Sequence, residues 1–99
     1  IDRQKIREKA LDIASNDQVD SASRMGALRV MTENKWDDQL EGIQQIALDD
    51  QAPVILRMSA IHSALQLNAD KIFKEQLRAK ILDADEPDKR LKFLVEKIN

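Results

Sequence analysis

Cysteine is absent from these 99 residues, so neither a disulfide nor a thiolate metal site is available. His62 is the sole histidine, which leaves no material for a His-based metal site or a catalytic His relay. Glycine and proline occur twice each, and aromatic residues make up 3% of the chain. A β-sandwich of this length would need many more of both, so the scarcity of turn formers points to helix. No apolar run approaches the roughly 18–20 residues that span a bilayer. An excess of one charge is also missing. The 16 Lys and Arg are interleaved with 18 Asp and Glu, for a net charge of −2. A nucleic-acid binder would carry a strongly basic stripe, and this pattern does not supply one.

What is present is a repeat. An Asp followed seven residues later by an Arg occurs three times at a 33-residue step, as Asp17/Arg24, Asp50/Arg57 and Asp83/Arg90. Ile13-Ala14, Gln18, Met25 and Ala27 recur 33 residues on as Ile46-Ala47, Gln51, Met58 and Ala60. A period of this size marks stacked helical units that cannot bury their apolar faces alone.

The periodicity places six helices in three pairs, with units at 1–34, 35–68 and 69–99 of one domain spanning 1–99. In the first pair Ile6, Ala10, Ile13 and Ala14 share one face, followed by Met25, Leu28 and Met31. Asp20 or Ser21 serves as N-cap of the second helix, and Asn34 suits its end. In the second pair Leu40, Ile43, Ala47 and Leu48 face inward, Pro53 stands at the first helical position, and Met58, Ile61 and Leu65 continue the stripe. In the third, Ile72, Phe73, Leu77 and Ile81 are followed by Pro87 at a helix start and by Leu91, Leu94 and Ile98. A constant step aligns Leu28, Ile61 and Leu94. The chain opens on Ile1 and enters directly into helical pattern, so a domain excised from a longer protein is expected.

Antiparallel helix pairs, acidic turns, and an Arg in each second helix followed by a small residue together resemble HEAT repeats. The stretch DDQAPVILRMSAIHSAL at 49–65 carries the resemblance best, with Asp, Pro, Val, Arg and Ala in the family's order. The copies are shorter than many HEAT units, and armadillo-type relatives share the pattern. The resemblance implies an all-α fold: an α-α superhelix, a right-handed solenoid of three HEAT-like hairpins. It implies a ladder in which Asp17, Asp50 and Asp83 meet Arg24, Arg57 and Arg90. It also implies a soluble scaffold for protein binding rather than an enzyme, working without cofactor or metal.

The expected partner is another protein or another domain of the same chain, with no nucleic acid and no membrane insertion. In such a solenoid the second helices line the concave wall. Positions opposite the core stripe are then the candidate contacts: Ala22, Gly26, Arg29 and Glu33; Ile55, Ser59, His62 and Gln66; Asp88, Lys92 and Val95. Gly26 in mid-helix suggests close packing or close approach of a partner, since it costs about 1 kcal/mol relative to Ala. Gly26, Arg29, Ile55, Ser59, His62 and Lys92 form the expected binding set. The carboxylate pairs at Asp37-Asp38 and Asp49-Asp50, and the cluster Asp83, Asp85 and Glu86, fall in turns, where acids cap helices. Trp36 reads as a wedge between helices. Two alternatives are a structural domain that buttresses a neighbour, and a HEAT-like enzyme or nucleic-acid-binding domain.

Overall fold

The computed structural model describes residues 3–98, and these form six α-helices with no strand among them. They are α1 (Arg3–Ser15), α2 (Ser21–Glu33), α3 (Leu40–Leu48), α4 (Val54–Gln66), α5 (Lys71–Leu82) and α6 (Lys89–Glu96). A single 3₁₀ turn at Asp37–Gln39 leads into α3. Each even helix folds back on the odd helix before it. Beyond that, α1 meets α3 and α3 meets α5, while α2 meets α4 and α4 meets α6. Odd helices therefore form one layer and even helices the other, in a body of 46 × 28 × 15 Å.

Local chemistry repeats with the sequence. In the first two turns Asn16 and Asp49 each accept the N–H two residues on, from Gln18 and Gln51 at 2.9 Å. Such Asx turns reverse a chain that has no glycine there. α2 begins at Asp20, whose carboxylate accepts the Ser23 N–H at 2.9 Å. α2 and α4 end alike: the N–H groups of Trp36 and Ala69 reach back to the carbonyls of Met31 and Ala64 at 3.0 Å. This closure needs a left-handed residue, supplied by Lys35 (φ 55°) and Asn68 (φ 64°). Asn34, expected to serve there, stays right-handed as the C-cap, and its side chain bonds the Val30 carbonyl instead.

The third pair departs from the constant step. α2 and α4, at 21–33 and 54–66, stand 33 residues apart, but α5 at 71–82 stands 34 beyond the 3₁₀ turn and α3 at 37–48. The extra residue lies in the link after Asn68, where Asp70 caps α5 by accepting the Phe73 N–H at 2.9 Å. Burial follows the new register. Phe73, Leu77 and Ile81 take the places of Gln39, Ile43 and Ala47, and Leu91, Val95 and Ile98 those of Arg57, Ile61 and Ala64. Val95, expected on the surface, is 1% exposed, and Ile72, expected in the core, is 65% exposed. Pro87 is likewise not the first residue of a helix. Asp88 follows it and caps α6 through the N–H groups of Arg90 and Leu91. Pro53 sits one residue before α4, in the cap position.

The core runs continuously through all three pairs. Ala14, Leu28, Met31, Ile43, Leu56, Ile61, Leu77 and Val95 are among its buried residues. Met25 and Met58 pack against it from the side and remain half-buried.

Candidate functional site

The even helices carry an open groove of ≈ 630 Å³ between α2 and α4. Ala22, Gly26, Arg29 and Glu33 line it from α2, and Ser59, His62, Ser63 and Gln66 from α4, above a floor that includes Met25 and Leu28. Small residues make it a groove: a Cβ at Gly26 would meet nothing within 4 Å among the described residues. Gly26 therefore leaves open space rather than close packing. Gly42 is the glycine that a neighbour crowds, since a methyl there would lie 2.5 Å from Leu11 Cδ2.

Four of the six expected contact residues, Gly26, Arg29, Ser59 and His62, meet in this groove. Arg29 is held along its rim by Glu33, Nε to Oε1 at 3.0 Å. Both side chains are exposed, so this pair contributes little to stability. Ile55 and Lys92 lie outside the groove. Ile55 stands 51% exposed one turn before Ser59 on α4. Lys92 is paired with Glu96 at 3.9 Å. In the corrected register the α6 residue in the row of Gly26 and Ser59 is Phe93, not Lys92. Phe93 is 64% exposed, with the Lys97 ammonium 4.0 Å from its ring centroid. Sequence reasoning missed Phe93 because a constant step put it in the row of Ala27 and Ala60.

The regular arginines do other work. Arg24 Nε donates to the Ala14 carbonyl at 2.9 Å, and Arg57 Nε donates to the Ala47 carbonyl at 3.0 Å. Each buried guanidinium thus fastens the last turn of one helix to the next helix of its pair, answering a carbonyl the helix end leaves open. Asp17 and Asp50 accept from the side chains of Gln18 and Gln51. Asp83 caps the end of α5, and Arg90, exposed, turns to Asp88 at 3.4 Å. Arg57 has a further peculiarity: its Nη2 is buried without a hydrogen-bond partner among the described residues. Burial pulls its pKa down, and the carboxylates of Asp50, Asp49 and Asp88 oppose that shift.

Trp36 is half-buried where α2 hands over to α3, under the Arg7 guanidinium at 5.3 Å. Arg7 also reaches Asp38 at 3.1 Å and so ties α1 to the second pair. Among the described residues no three His, Asp or Glu side chains are placed to hold a metal ion, and no helix is long and apolar enough to cross a membrane. Comparison with protein-family models, curated proteins and solved structures finds no match to this chain.

Proposed function

We propose that this domain is a non-catalytic protein-binding module, a short right-handed solenoid of three HEAT-like helix pairs that receives its partner on the even-helix wall. The observation that carries this reading is the pairing of the α2–α4 groove with two exposed apolar side chains, Ile55 and Phe93, on the same helical layer. A groove opened by Gly26 admits a partner backbone closely, and large apolar groups elsewhere on the same layer supply anchors. The odd-with-odd and even-with-even helix contacts support the solenoid part.

Site-directed photocrosslinking in native lysate tests the surface. A photoreactive residue at Ser59, on the wall, should capture a discrete protein that the same residue at Asp12, on the opposite layer, does not. Arg29→Glu with His62→Glu should abolish that adduct without loss of helicity. Equal capture from both positions, or from neither, would overturn the assignment.

A second reading, a structural domain that buttresses a neighbour through the end of its stack, is favoured by a different observation. Ile6 and Val30 are exposed together on the outer side of the first pair.

A further inference from the structure

The two ends of the stack are not alike. Between the first two pairs, Gly42 and Ile46 of α3 share a hollow with Leu11 and Arg24. Ser63 of α4 faces α2 across the groove. With the buried Gln39, these residues make up the side of the second pair that receives the first. The same rows in the first pair, 33 residues earlier, are Ile6, Lys9, Ile13 and Val30. Nothing among the described residues covers them as their counterparts are covered. Ile6 is 46% and Val30 44% exposed where Gln39 and Ser63 are buried.

At the far end the rows reverse in character. The residues that face forward in the first pair are Leu11 and Met25. Their rows continue as Gln44 and Met58 and then, at the 34-residue step, as Arg78 and Lys92. Both cations are engaged by their own pair, Arg78 with the Ile98 carbonyl and Lys92 with Glu96. A terminal unit that turns charged groups outward is what closes a repeat stack.

We propose that the outer face of α1–α2 is a stacking surface for one further helix pair of the same 33-residue pattern, and that α5–α6 ends the array. The inference rests on the solenoid reading but not on any use of the groove. The occupant is specified by what it must meet. Leu11 touches Gly42, so the occupant's residue in the Leu11 row meets Lys9. Arg7 pairs with Asp38, so its residue in the Arg7 row meets Lys5. The occupant therefore carries acidic or polar groups in those two rows and an apolar residue, as Met25 and Met58 are, over Val30. A second copy does not satisfy this, because its free end would bring Lys74 toward Lys5, Arg78 toward Lys9 and Lys92 over the apolar Val30.

The test is directional extension of the full chain. A copy of residues 35–67 carrying Leu40→Gln, placed ahead of residue 2, keeps the 33-residue register and sets Gln44 of the copy over Lys9 and the new glutamine over Lys5. This tandem should melt in one transition several degrees above the parent. Ile6→Glu with Val30→Glu should leave the parent's melting temperature within a degree and lower the tandem's by several. Gln44→Glu in the copy should raise it again and Gln44→Lys should lower it. The same copy appended after residue 99 should give no gain. A tandem that melts at the parent temperature or in two steps overturns the proposal, as does an equal gain from either end. A parent chain whose mass rises with concentration overturns it in favour of self-association. Groove binding is read by crosslinking, so its failure would leave these melting results standing.

Discussion

Arg24 and Arg57 occupy equivalent places yet should respond differently to the same substitution. Both donate Nε to a helix-end carbonyl, at 2.9 and 3.0 Å. Only Arg57 also strands a buried Nη2 without a partner among the described residues. Methionine at either position keeps most of the packed stem and removes the guanidinium. At Arg24 the loss is a hydrogen bond from a charged donor, about 1.5–3 kcal/mol. At Arg57 the same loss is offset by removal of an unsatisfied buried donor, about 1–3 kcal/mol. Relief of the cost of burying the charge adds to that offset. Arg57→Met should therefore stay within about 1 kcal/mol of the parent, while Arg24→Met falls about 1.5–3 kcal/mol below it. Urea unfolding followed by helical circular dichroism reads both differences, provided the slopes are unchanged. Arg57→Met costing as much as Arg24→Met would refute the claim that the orphan Nη2 sets the balance.

Three other outcomes follow from local geometry. Gly26→Ala should stabilise by about 0.5–1 kcal/mol, because a helix favours Ala and the site is open. Gly42→Ala should destabilise by about 1 kcal/mol or more, since Leu11 must give way. Thermal melts that rank the two alanines the other way would contradict this. Lys35→Gly should gain roughly 0.5–1 kcal/mol by removing a left-handed strain. Chemical unfolding should show a smaller gain for Asn68→Gly, since Asn tolerates that conformation better. Asp20 is held below the usual carboxylate range first by the Ser23 N–H, and Asp88 first by the Arg90 side chain. A depressed pKa favours the fold while the group is ionised. Their contribution is complete above the unfolded value near 4 and is lost as pH falls through the lower folded values. Asp20→Asn with Asp88→Asn keeps the caps and should flatten the acid limb of stability below about pH 4. Superimposable acid limbs would rule that out.

The helical class and the first two pairs were legible because the residues that shape them recur in place. The turn made by Asn16 and Asp49, the fastening by Arg24 and Arg57, and the Met25 and Met58 rows are each 33 residues apart. The third pair was misplaced by one position, because the Asp83/Arg90 spacing imitates the repeat although neither residue does the work of Asp50 or Arg57. Asp83 ends a helix and Arg90 answers Asp88. That single error hid Phe93 and promoted Val95. The groove was partly foreseen, since Gly26, Arg29, Ser59 and His62 lie opposite an unambiguous core stripe. The crowding at Gly42 was not, because a glycine's neighbour in the next helix leaves no mark on its own segment.

The link after Asn68 gives the third pair its phase. A helix turns about 100° per residue, so one residue more or fewer in a link decides which side chains point at the wall and which at the core. At the 34-residue step the wall receives Phe93 and the core receives Leu94 and Val95; at a step of 33 it would receive Lys92. The aromatic group on this surface is thus set by chain length in a segment that does not touch it. Deleting one residue between Asn68 and Lys71 would force the pair either to stretch its link or to rewrite its exposed face without any change in the composition of α6.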